Sequence, residues 1–336
     1  MDEELFGPLT LHTEVERWPL ANPFQITGRI FEFVDVLVVI LGKEGCCGYG
    51  EAAGVFYKGD DAVVMARQVE SMRVRIEGGL SRDLVQKMLP PGGVRNALDC
   101  ALWDLEAKLR HCLTWEIAGL QAPHPLLTTF TCGANIPEKM AEVARGYKSA
   151  RAIKLKLTGE PIDAERVRAV REALPDVWLG VDANQGFTRD FLERLMPTLV
   201  EARVALIEQP LPVGQESLLE GFQSPIPLAA DESAQSLGDL PTLVGRFSVV
   251  NIKLDKCGGL TEGLAMARAS SALGLDAMVG NMLGTSLAMA PAFLVGQLCK
   301  VVDLDGPVFL KRDRAATILY RDGLVDCPTD VWGNPA

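Results

Sequence analysis

Lys154, Lys156, Asp182, Glu208, Asp231 and Lys253 each fall at the end of a short apolar run. The runs are AIKLK, VWLGVDAN, VALIEQP, PLAADES and VVNIK. From Lys156 onward the steps between these groups are 26, 26, 23 and 22 residues. Three carboxylates gathered within a few ångströms repel one another unless a cation sits among them. An all-oxygen set of moderate number suits Mg²⁺, with Mn²⁺ as a substitute. Asp182, Glu208 and Asp231 are therefore the expected metal ligands. Lys154 and Lys156, two apart on a strand, share a face. A free lysine, with a pKa of about 10.4, is a poor base at neutral pH, and lowering it to about 7–8 takes roughly 4 kcal/mol. A cationic neighbour such as Lys154 together with a divalent ion can supply that. The chemistry implied is α-proton transfer. A substrate carboxylate chelates the metal, one lysine removes the α-proton, and the metal stabilises the enediolate as a Lewis acid. The second lysine returns a proton to the opposite face, which inverts the carbon.

Such groups must be brought together by the fold. Steps of this length hold a strand, a loop, a helix and a return loop. Each charged residue then sits at the C-terminal end of a successive parallel strand, where the catalytic groups of a (β/α) barrel converge. Apolar strand candidates begin near Phe130, Ala152, Val177, Val204, Pro227, Phe247, Leu275 and Val301, with seven helical patterns between them. The expected class is α/β, a (β/α)7β TIM-type barrel. Its second and sixth strands lie on opposite sides, so Lys156 and Lys253 face each other across the carboxylates.

Residues 10–60 read as antiparallel strands, with FVDVLVVILG strongly β-prone. The stretch GYGEAAGVFYKGD, rich in glycine, is expected to be a mobile loop. Helical periodicity follows over 61–88, with Val64, Ala66, Val69 and Met72 on one face, and again from Ala97. The expected division is an N-terminal α+β capping domain over 1–123, the barrel over 124–310, and a C-terminal segment, 311–336, returning to the cap.

The chain has 336 residues, 48% of them hydrophobic and 23% charged, with a formal net charge of −11. That balance argues against nucleic acid and anionic membrane surfaces as partners. Eight scattered cysteines form no CxxC pair, so a zinc or redox motif is not expected. The three histidines, His12, His111 and His124, lie away from the charged series, which argues against a histidine base. MDEELFGPL lacks the apolar core of a signal peptide, and no run of about 18 apolar residues occurs. The expected location is the cytoplasm. A homo-oligomer is compatible with the sequence, which shows no diagnostic interface.

The strings KLK at 154–156, VDANQG at 181–186, IEQP at 207–210, ADES at 230–233 and NIKLDKCGG at 251–259 resemble the muconate-lactonizing subgroup of the enolase superfamily. GYGEA and ALDCALWDLEAK are similar to that subgroup's capping domain, so the resemblance covers essentially the whole chain. It implies Asp182, Glu208 and Asp231 as Mg²⁺ ligands and Lys156 with Lys253 as the acid/base pair. It further implies Lys154 as a contact to the substrate carboxylate and Asn184 as an outer partner of the site. VVDLDG puts Asp303 and Asp305 on one face at the eighth strand end. In the subgroup's dipeptide epimerases a similar pair binds the substrate's α-ammonium group, so a dipeptide substrate is expected. The sibling chemistries are N-acylamino acid racemase, o-succinylbenzoate synthase and muconate-type cycloisomerase. Thr131, Asn281 and Arg29 complete the candidate substrate contacts. Arg29 resembles the position where members acting on Ala-Glu read the γ-carboxylate. Gly284, in GNMLGTS, stands where the family often has glutamate, and is expected to reshape the pocket at Asn281–Thr285.

Overall fold

The computed structural model describes residues 7–26 and 29–335. Three antiparallel strands open the chain: β1 (Thr10–Ile26), β2 (Arg29–Lys43) and β3 (Cys46–Ala52). The β-branched run VDVLVVIL fills β2, whose partners are set by pairs such as Val15↔Leu37 and Leu37↔Ala52. Helices α1 (Ala62–Ser71), α2 (Arg73–Glu77), α3 (Arg82–Met88) and α4 (Gly93–Arg110) cover the sheet. Leu37, Val39, Leu41, Met65, Val69, Leu98 and Leu105 form the core between them.

Two expectations change here. Asp61 caps α1 by accepting a hydrogen bond from Val64 N, and the helix so phased buries Ala62, Met65 and Val69. Val64 is left 38% exposed, off the face assigned from the sequence. GYGEA is not a loop but the body of β3. Its glycines let the strand lie directly on α4: a Cβ on Gly50 would overlap the backbone of Ala97, and one on Gly48 that of Ala101.

After α5 (Thr114–Ile117) and β4 (Leu126–Leu127) comes an eight-stranded parallel sheet. Its strands are β5 (Phe130–Cys132), β6 (Ala152–Lys156), β7 (Trp178–Asp182), β8 (Leu206–Glu208), β9 (Leu228–Ala230), β10 (Val249–Ile252), β11 (Asp276–Val279) and β12 (Val301–Val302), paired in chain order. Thr129 N donates to Val302 O at 3.0 Å, so the first strand meets the last and the sheet closes into a barrel. Helices α6 (Pro137–Gly146), α7 (Asp163–Ala173), α8 (Arg189–Glu201), α9 (Leu240–Leu243), α10 (Leu254–Cys257), α11 (Leu260–Ala272) and α12 (Ser286–Gly296) connect them. Between β8 and β9 only a 3₁₀ turn, Glu216–Leu219, forms where a helical pattern was expected. Pro210, Pro212, Gly214, Gly221, Pro225 and Pro227 crowd that stretch and break any longer helix.

Alternation along the strands sorts the side chains. Ile153, Leu155, Leu179, Val181 and Ile207 face the helices. Inside the barrel, Trp178, Leu206, Ala229, Val249, Met278 and Val301 pack as an apolar plug. Inward positions nearer the C-terminal ends carry the charged residues. Beyond β12, β13 (Leu319–Arg321) pairs with β14 (Leu324–Asp326), which pairs with β4. The tail then reaches the N-terminal sheet, where Trp332 Nε1 donates to Tyr49 O at 2.8 Å. No helix among the described residues is long and apolar enough to cross a membrane.

Candidate active site

Every predicted site residue whose side chain is described lies at the C-terminal end of the barrel. Lys154 and Lys156 point inward from β6, Asp182 and Glu208 end β7 and β8, and Asp231 and Lys253 follow β9 and β10. All six are buried. Asp182, Glu208 and Asp231 each offer a carboxylate oxygen, and these atoms lie within 4.8 Å of one another.

The lysines meet the acids directly. Lys156 Nζ donates to Asp182 Oδ2 at 2.5 Å, Lys253 Nζ to Asp231 Oδ2 at 2.7 Å, and Lys154 Nζ to Glu208 Oε2 at 3.3 Å. Lys154 also pairs with Asp303. Burial works to lower the pKa of Lys154 and Lys253, but the surrounding carboxylates outweigh it and hold both above the ordinary lysine value. Burial, and then Asp182, pushes Glu208 up to about 7. Asp231 is held low: burial opposes ionisation, and Lys253 and Lys256 overcome it.

The eighth strand end is joined to the first. Asp303 accepts from Thr129 Oγ1 as well as from Lys154, while Asp305 Oδ2 accepts from Thr131 N at 2.7 Å. Asp305 has no ion-pair partner among the described residues, and burial, then Asp303, pushes it up to about 6. Asn281 Nδ2 donates to Asp303 O at 2.5 Å. Asn184 holds Asp182 through its backbone N–H at 2.8 Å. Arg29 begins β2, but its side chain lies outside the described residues.

Lys154, Lys156, Asp231, Lys253, Asp303 and Asp305 floor a cavity of about 360 Å³, in the size range of small-molecule sites. Phe24, Phe31, Phe33, Phe56, Tyr57 and Phe309 line its upper part. Phe24 packs on Phe309 at 4.5 Å between ring centroids, and Gln235 Nε2 donates to Tyr57 Oη at 3.2 Å. Both contacts tie the first sheet and its following turn to the barrel. Gly284 directly follows Asn281, Met282 and Leu283, which line the cavity. A Cβ there would come within 3.1 Å of Glu51 Oε1, so the glycine also makes room for a buried carboxylate. Glu51 accepts from Thr285 N at 2.8 Å and from Arg314 Nη2 at 2.7 Å.

Three further buried groups adjoin the carboxylates without having been singled out in the sequence. Glu232, beside Asp231, is buried with Oε2 unpartnered, and burial and then Asp231 push it up to about 8. Asn251 Nδ2 donates to Glu208 Oε1 at 2.7 Å. Lys256, fully buried, donates to Asp231 Oδ1 at 2.5 Å. The signal for Lys256 was its spacing: three residues after Lys253, one helical turn brings it back beneath the same site.

Residues 137–330 match the family described as Enolase C-terminal domain-like. The chain belongs to the enolase superfamily. Its similarity to enolase-superfamily enzymes extends beyond that segment. The chain is 40% identical over 311 residues to the L-Ala-D/L-Glu epimerase of Escherichia coli K12, covering 92% of this chain and 96% of the relative. It is 38% identical over 303 residues to an N-acetyl-D-glutamate racemase of Pseudoalteromonas, covering 89% and 95%. Among solved structures, an Agrobacterium tumefaciens enolase family member with homology to dipeptide epimerases, bound to sodium and L-Ala-L-Glu, matches with a TM-score of 0.93. That pair is 38% identical, covering 97% of this chain and 100% of the other.

Proposed function

We propose that this enolase-superfamily isomerase is a Mg²⁺-dependent dipeptide epimerase that inverts the α-carbon of the C-terminal residue. The observation that carries the reading is the placement of Lys156 and Lys253 on opposed strands, on either side of three clustered carboxylates. Kinship with epimerases and racemases of amino acid derivatives supports it.

The carboxylates fit a divalent cation. They are buried, purely oxygen donors, and near enough together for their repulsion to favour one. Asp182, Glu208 and Asp231 would hold it. When bound, it supplies positive charge beside the substrate carboxylate and so acidifies the neighbouring α-proton. Lys156 and Lys253 then work from opposite faces, one taking the α-proton and the other delivering one. Lys154 keeps a third positive charge at the floor, anchored by Asp303. Asp305 offers the anionic acceptor that a buried α-ammonium group requires. The aromatic lining excludes water from the reacting carbon.

The second reading, an N-acylamino acid racemase, is favoured by the N-acetyl-D-glutamate racemase relative. Proton NMR in D₂O with Mg²⁺ separates the two. Loss of the α-proton signal from the C-terminal residue of L,L-dipeptides supports epimerisation. Exchange confined to N-acyl amino acids would put the second reading first.

A further inference from the structure

We propose that Lys256 and Asn251 are tethers that leave Asp231 and Glu208 each only one oxygen clear of a fixed donor, and that this makes the site prefer Mg²⁺ over Ca²⁺. The inference rests on the metal-site part of the reading above.

An ammonium group has three protons to donate and no acceptor capacity. Lys256 spends all three: on Asp231 Oδ1, on Asp231 O, and on Asn251 O at 3.0 Å. It does not line the cavity. The turn that carries it is clamped. Gly54 N donates to Asp255 Oδ1 at 2.8 Å, and Arg95 donates to Cys257 O. Gly258, at φ 84°, ends α10 where a side chain would strike Arg95.

Glu208 repeats the arrangement, with Asn251 Nδ2 on Oε1. Asn184 reaches both oxygens of Asp182, Oδ1 through its N–H at 2.8 Å and Oδ2 through Nδ2 at the longer distance of 3.3 Å. In Asp231 and Glu208 one oxygen is tied to a fixed donor while the other faces a cavity lysine, Lys253 or Lys154. Asn251 links two of the ties, since its side chain holds Glu208 and its carbonyl holds Lys256. Asp231 and Glu208 thus offer one oxygen each. Ca²⁺ seeks six to eight oxygens and accepts carboxylates through both oxygens, whereas Mg²⁺ keeps a strict octahedron with few protein ligands. Tied oxygens penalise Ca²⁺ and leave Mg²⁺ unaffected.

The test is calorimetric titration of the chelator-treated full-length protein with Mg²⁺ alone and Ca²⁺ alone, for wild type, Lys256→Met and Asn251→Ala. Losing the Lys256 charge strengthens binding of both cations together, so the ratio of the two affinities isolates the tether. We expect the preference for Mg²⁺ over Ca²⁺ to fall about tenfold in each variant, the scale on which partners of metal ligands act. Asn251→Ala removes no buried charge, and so carries the same expectation if Lys256→Met does not fold. An unchanged ratio in variants that still bind Mg²⁺ overturns the tether proposal alone. A wild-type protein that binds neither cation overturns the metal-site reading and the tethers with it.

Discussion

Lys154 and Asp303, 149 residues apart, form a buried ion pair across the line where the last strand meets the first. Asp305, two residues on, lines the cavity with no cation paired to it among the described residues. The two aspartates, alike in sequence, therefore have different duties. Asp303→Asn strips Lys154 of its main partner and should lower stability by about 3 kcal/mol, the scale of a broken buried pair. Asp305→Asn neutralises a carboxyl that burial and Asp303 already disfavour as an anion, so stability should hold or rise. Urea unfolding of both variants checks this. Equal losses would mean that the two aspartates contribute alike to stability.

Dipeptides and N-acyl amino acids should respond differently to Asp305→Asn. Dipeptide turnover is expected to fall at least about a hundredfold, as for loss of a charged partner to a buried ammonium. Activity on N-acylated substrates, which bring no ammonium, should change little. Steady-state kinetics on paired substrates gives the answer, and parallel losses would remove the ammonium role.

Lys156→Ala and Lys253→Ala should each lower epimerisation by about 10³-fold, within the range for a general acid or base. Each variant keeps one lysine, so each should still exchange the α-proton of one stereoisomer. Deuterium incorporation into L,L- and L,D-dipeptides reads this directly. The expected pattern is opposite stereoisomers for the two variants. Identical selectivity would place both lysines on one face.

Glu51 holds Thr285 of the barrel and Arg314 of the tail from within the first sheet. Glu51→Ala leaves Arg314 half-buried without its main acceptor, and should cost about 3 kcal/mol by denaturant unfolding. A change below about 0.5 kcal/mol, typical of surface substitutions, would show that the contact is dispensable.

Asp99 lies buried against Thr261, and burial pushes its carboxyl from 3.8 up to about 6. The folded chain therefore holds this proton more tightly than the unfolded one. The resulting stabilisation is complete below pH 3.8 and is lost as pH rises through about 6. Asp99→Asn cannot titrate. Its stability relative to wild type should grow by about 2 kcal/mol between pH 4 and pH 7. Chemical denaturation across that range measures the difference, and a flat difference would refute it.

What was legible in the sequence followed a short period. Strand candidates near Ala152, Val204 and Phe247 were legible as short apolar runs closed by a charged residue, and β6, β8 and β10 fall on those runs. Asp182, Glu208 and Asp231 were legible for the same reason, since each ends such a run. What escaped depends on contacts that no local pattern encodes. Gly48 and Gly50 looked like a loop because their purpose is the proximity of α4, some fifty residues away. Gly284 looked like a change to the pocket alone, yet it also answers to Glu51, whose partner Thr285 lies 234 residues distant. Lys256 was read past because its role is spent on Asp231 below the cavity floor.

Thr129 and Thr131 reach Asp303 and Asp305 over a separation of 174 residues. Contacts of such span are the costliest to form and come late, after local units have settled. The surroundings of Asp303 and Asp305 are thus completed only when the ring is joined. A nascent or partly opened chain can possess its acids and lysines and still lack this arrangement.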